Sequence, residues 1–133
     1  MTRRECREHL FCLMFQRPFY PVDEFMQQRE LFLGEQKKLS PTDQQELITR
    51  SDDVISHMEE IDVYIEKYSK GWTLDRIGKA ELTILRIAVF ESLFDEEVPV
   101  GVAVNEAVEL AKKYGDDNAS SFVNGILGKI VNE

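Results

Sequence analysis

Arg3, Arg4 and Arg7 stand within the first seven residues of this 133-residue chain. On a helix, residues 3 and 7 stack on one face and residue 4 lies beside them. Guanidinium forks grouped in this way match phosphate oxygens, two donors to one group. His9, two residues on, would add positive charge at mildly acidic pH. The bland alternative is a solvated helix end whose arginines pair locally with Glu5 and Glu8. The residue types alone leave both readings open.

Other chemistries find less support. Cys6, His9 and Cys12 have a superficially metal-like spacing, and on a helix they spread over about 120° of the circumference. Zinc normally draws four ligands, commonly a second pair from elsewhere. Only His57 remains, with no third cysteine, so no metal site and no cofactor are expected. Carboxylates occur as neighbours (Asp52-Asp53, Glu59-Glu60, Glu96-Glu97, Asp116-Asp117). Acid–base catalysis needs acids whose pKa values are pushed apart in a cleft, which adjacent exposed acids do not supply. The glycines form neither a dinucleotide nor a phosphate loop, and no nucleophile–histidine–acid set stands out. The sequence does not read as an enzyme.

The formal net charge of −9 is wrong for a general polyanion binder. It is unevenly spread, however. Residues 1–17 hold four arginines against two glutamates, a net of +2, while the remainder carries −11. A basic tip on an acidic body favours one defined contact over diffuse attraction. Apolar residues make up 43% of the chain, enough for one packed core and too many for disorder. Cys6 and Cys12 would lie about 9 Å apart along a helix, beyond disulfide reach. Free thiols, no apolar run of bilayer length and no signal-peptide pattern at Met1–Glu5 predict a soluble, cytoplasmic protein without a membrane role.

The elements that must position these residues all read as helices. Cys6, Leu10 and Met14 recur at fours, flanked by Phe11 and Leu13, and Pro18 and Pro21 end this first helix. A second helix is expected from Val22 to about Gln36, with Phe25, Met26 and Phe32 inward. Ser40-Pro41-Thr42-Asp43 starts another: serine caps, proline takes the first turn and an acid faces the positive end of the dipole. The three-four rhythm continues to Tyr68, with a bend near Glu59-Glu60, until Lys70-Gly71 stops it. After a turn over residues 72–78, an apolar helix runs from Lys79 to Phe94 with Leu82, Leu85, Ala88, Val89 and Leu93 as its core face. Two more follow, Val100 to Tyr114 and about Ser120 to Val131, the last burying Phe122, Val123, Ile126, Leu127 and Ile130. No stretch alternates as a strand would. The chain is therefore all-α, with six or seven helices divided near Gly71 into an N-terminal part (about 1–70) and a C-terminal part (about 71–133).

Three motifs in order carry a resemblance. They are Ile84-Leu85-Arg86-Ile87-Ala88-Val89-Phe90-Glu91, then Asn105-Glu106-Ala107-Val108-Glu109-Leu110-Ala111-Lys112, then Phe122-Val123-Asn124-Gly125. Together with Arg3-Arg4-x-x-Arg7-Glu8 and Met14-Phe15-Gln16, they resemble the NusB family of transcription antitermination factors, tightly from Trp72 onward and loosely between Pro18 and Lys70. The resemblance implies two perpendicular three-helix bundles. It also implies binding to single-stranded boxA RNA of nascent ribosomal RNA transcripts, together with NusE, a small-subunit ribosomal protein, in an RNA polymerase antitermination complex. Carried over by position, Arg3, Arg4 and Arg7 would hold RNA phosphates, Gln16 would contact RNA, and Phe15 would lie where RNA and NusE meet. Glu81 would contact NusE. Asn118 and Phe122 would form the far edge of the RNA surface, with Phe122 equally readable as core. Arg86 would either anchor the bundle or reach RNA.

The family's arginine-rich helix is thinner in this chain, since Glu5 and Glu8 interleave with the arginines. Phenylalanine at position 15 keeps the ring but not the hydroxyl of the family's common tyrosine. RNA affinity without NusE is therefore expected to be modest and steeply salt-dependent. An acidic body suits a basic partner whose charge completes a composite RNA site. The alternatives are a helical protein-interaction module, or a ribosomal RNA maturation helper without independent RNA binding. The resemblance also allows a homodimer of the free protein through the RNA face.

Overall fold

A computed structural model describes residues 1–132, and every regular element in them is helical. Seven α-helices run in order: α1 (Arg3–Met14), α2 (Val22–Glu35), α3 (Pro41–Ser56), α4 (Met58–Tyr68), α5 (Lys79–Leu93), α6 (Val100–Tyr114) and α7 (Ala119–Val131). Short 3₁₀ turns at Arg17–Phe19 and Leu74–Arg76 complete the set. Among the described residues, no helix is long and apolar enough to cross a membrane. The chain divides into two compact units, Met1–Ile55 and Ser56–Glu133.

In the first unit, α1 begins with a capping box. The Thr2 hydroxyl accepts from the Glu5 N–H at 3.0 Å, and the Glu5 carboxylate accepts from the Thr2 N–H at 2.9 Å. Two first-turn donors are thus satisfied reciprocally. The same bonds to Thr2 hold the Glu5 carboxyl below the usual carboxylate range. Apolar residues at three-four spacing then bury Cys6, Leu10, Phe11, Leu13 and Met14. Helix α2 buries Phe25 and Leu33, whereas Met26 and Phe32 are only half-buried. Arg29 on α2 donates to the Ser51 hydroxyl (2.8 Å) and to Asp52 (2.5 Å) on α3. The N-terminal ammonium lies 3.7 Å from Asp43, tying the approach to α1 to the first turn of α3.

In the second unit, α5 packs on α4, α6 and α7, and α7 also packs on α4 and α6. Helix α5 is buried on nearly every side: Leu82, Thr83, Ile84, Leu85, Ile87, Ala88, Val89, Phe90 and Glu91 are all withdrawn from solvent. A helix enclosed by neighbours reads as apolar all round. The expectation that Leu93 belongs to its core is corrected, because Leu93 lies in the last turn and is 37% exposed.

Two boundaries differ from the sequence reading. The break between α3 and α4 falls at His57 rather than near Glu59-Glu60. The division into units falls beside it, after Ile55, and not near Gly71. The physical reason is that α4 buries Met58, Ile61 and Ile65, packs on α5 and α7, and shares an ion pair with α5. The Lys70-Gly71 stop does end α4. Both residues take left-handed backbone (φ 50° and 86°), a conformation that costs little only at the glycine.

Candidate nucleic-acid interface

The arginine cluster occupies the first two turns of α1, oriented by the capping box. Arg3 and Arg4 are exposed, and Arg3 makes no hydrogen bond or ion pair among the described residues. Arg7 departs from the expected picture of three solvent-facing donors: it is only 8% exposed and engaged with neighbours. The reason was legible, since positions 7, 10, 11 and 14 form one helical stripe, and Leu10, Phe11 and Met14 are its core. Arg7 shares the buried face of α1 with them.

The other end of α1 carries aromatic rings. Eleven residues make three helical turns plus about 20°, so Arg4 and Phe15 project from one face about 16 Å apart along the axis. Glu8 lies on the same strip, one turn from Arg4, and is half-buried. Phe15, the C-cap residue, is half-buried and stacks on buried Phe11 at 5.7 Å between centroids with 28° between planes. Gln16 beside it opens the 3₁₀ turn and is half-buried. Phe19 was missed by the sequence reading. It meets Phe15 edge-to-face at 5.7 Å and 68°, and is 55% exposed. The signal was present, because Phe11, Phe15 and Phe19 recur at fours.

In the second unit, Glu81 sits in the first turn of α5, half-buried. Its carboxylate fills the space over Gly78, and one of its oxygens lies 3.4 Å from where a side chain at Gly115 would begin. It has no hydrogen-bond or ion-pair partner among the described residues. Such an acid keeps its accepting capacity for an outside cation. Asn118 is exposed at the N-cap of α7, with its side chain free of any capping bond. Its own N–H donates to Asp116 Oδ1 at 3.0 Å. Phe122, one turn into α7, is half-buried, neither fully core nor fully exposed.

Arg86 is committed elsewhere. Its Nε and Nη2 donate to the two carboxylate oxygens of Asp62 on α4, each at 3.0 Å. The side chains are 12% and 21% exposed. The forked pair holds α4 to α5 and engages two of the donors that a phosphate contact would use. The chain's sequence gave no sign of Asp62 as its partner, 24 residues earlier.

These features can be set beside known proteins. The model of the NusB family matches residues 4–132. A transcription antitermination protein NusB from Lachnoclostridium phytofermentans is 47% identical over 131 residues, covering 98% of this chain and 99% of that protein. The solved structure of T. maritima NusB superposes with a TM-score of 0.84 at 29% identity, covering 100% of this chain and 92% of the other. A chain from a crystal structure of the antitermination factors NusB and NusE with double-stranded RNA gives 0.80 at 28% identity, covering 99% and 98%. Matched by the family model from its first turn to its last helix, and along nearly its whole length by a transcription antitermination protein, this chain belongs to the NusB family.

Proposed function

We propose that this protein is a transcription antitermination factor. In this reading it binds boxA-type single-stranded RNA of nascent ribosomal RNA transcripts together with NusE, within an RNA polymerase antitermination complex. The observation that carries the reading is the start of α1, where exposed Arg3 and Arg4 share a helix with half-buried Phe15 on an otherwise acidic molecule. For partner and RNA binding in general, support comes also from the crystal structure of NusB and NusE in complex with double-stranded RNA, whose NusB is similar to this chain.

Arg3 and Arg4 hold phosphates, and Phe15 stacks on an unpaired base with Gln16 beside it. Asn118 and Phe122, at the start of α7, contribute polar and aromatic contacts to RNA. Arg7 supports the turn from its buried position, and Arg86 holds α4 to α5. Glu81 receives a cationic side chain of NusE. The body's charge then attracts the basic partner, and the partner's charge raises RNA affinity.

The test is binding of labelled boxA-type RNA, with and without NusE, across a salt series. Arg3→Ala plus Arg4→Ala should weaken binding about tenfold at low salt. It should also flatten the log–log salt slope by about 1.4, since each phosphate contact on a single strand contributes about 0.7. An unchanged slope rejects the phosphate assignment. For the partner contact, Glu81→Lys should weaken NusE capture about tenfold or more by placing like charges together. Capture at wild-type level rejects Glu81 as a contact.

A further inference from the structure

Phe19 has no role in the reading above, and its environment is unusual for a large apolar side chain. It is 55% exposed, yet its backbone is firmly held. Pro18 fixes the preceding φ, the Phe19 N–H donates to the Gln16 carbonyl at 3.1 Å, and the Tyr20 N–H donates to the Arg17 carbonyl at 3.3 Å. Arg17 Nη1 closes the turn on the Tyr20 carbonyl at 2.8 Å. Behind it, the Phe11–Phe15 stack anchors the ring series in the core. An aromatic ring held out in a rigid turn loses little freedom when something binds it.

We propose that Phe19 is a second base-stacking ring, so that the α1 end of the first unit receives two unpaired RNA bases, one on Phe15 and one on Phe19. This rests on the RNA-binding reading above. The two rings are inclined at 68°, so bases laid on them cannot remain stacked on each other. A duplex cannot present its bases this way, whereas splayed bases of a single strand can. Charge argues for RNA over an apolar protein surface. The basic segment of this acidic chain, residues 1–17, carries Phe15 and ends two residues before Phe19, and Arg4 shares a face with Phe15.

The experiment measures binding of boxA-type RNA by the full-length protein with NusE, using RNAs that carry 2-aminopurine at successive positions. Phe19→Ala should weaken single-strand binding about tenfold and restore fluorescence at one position only. Phe19→Trp should retain binding, and Phe19→Leu, apolar without a π-face, should fail like alanine. NusE capture without RNA should be unchanged in all three. If Phe19→Leu binds as wild type, or Phe19→Ala loses NusE in the absence of RNA, Phe19 contacts protein and the proposal is overturned. Wild-type RNA affinity in Phe19→Ala overturns it too, while leaving the broader reading intact. Failure of the unaltered protein to bind RNA at all sinks both.

Discussion

Arg86→Leu should destabilise the second unit by about 3 kcal/mol, because it strands the Asp62 carboxylate in an enclosed site. The pair is forked and largely shielded, with side chains 12% and 21% exposed, so solvent cannot fully replace the guanidinium. The exposure that remains places the expected cost at the lower end of what broken buried pairs give. Urea unfolding would measure it. The double replacement Arg86→Leu plus Asp62→Leu should recover most of the loss, since two packed apolar side chains leave no buried charge behind. An internal anchor also makes a functional forecast. At temperatures where Arg86→Leu stays folded, its RNA salt slope should equal that of wild type. A loss below about 1 kcal/mol together with a flattened slope would return Arg86 to the RNA contacts.

Gly115→Val should cost about 2–3 kcal/mol and should damage partner binding as well. A side chain at this position would begin on top of the Ala119 side chain and 2.8 Å from the Ala111 carbonyl oxygen. The carbonyl is backbone of the last turn of α6, and Ala119 is the fully buried first residue of α7, so neither can move aside easily. The packing of α6 against α7 would have to loosen at the hinge between them. Glu81 lies within 3.4 Å of the same point and would be displaced from its seat over Gly78. Thermal unfolding and NusE capture, measured on the same variant, should therefore both report a loss. Wild-type stability would mean that the α6–α7 turn has room that the structure denies it.

The two variants act where the sequence was least informative. Helix α7 and the span of α6 could be read from spacing and stop signals, and their observed ends agree to within a residue. The closeness of Gly115 to Glu81 could not, because it depends on how α5 and α6 approach each other across 34 positions of chain.

The candidate site divides in the same manner. Residue type and helical spacing were enough to place Arg3 and Arg4 at the start of the first helix, whereas the Thr2–Glu5 capping box that begins it was seen only in the structure, although it acts within a single turn. The same local rules contained the burial of Arg7, which sits on the stripe of Leu10, Phe11 and Met14, and the ring series ending at Phe19. Spacing alone does not say which side chains of a stripe are covered, because that depends on what packs against it.

What the chain's own order of residues determined was its helical character and its uneven charge. It also carried the family motifs, since these depend on neighbours within a turn or two. Tertiary packing alone decided that α4 joins α5 and α7, that Asp62 claims Arg86, and that Glu81 is half-buried without a hydrogen-bond or ion-pair partner among the described residues. Each of these is a contact between segments far apart in sequence. Its free energy comes from burial and charge pairing that do not exist until the helices meet.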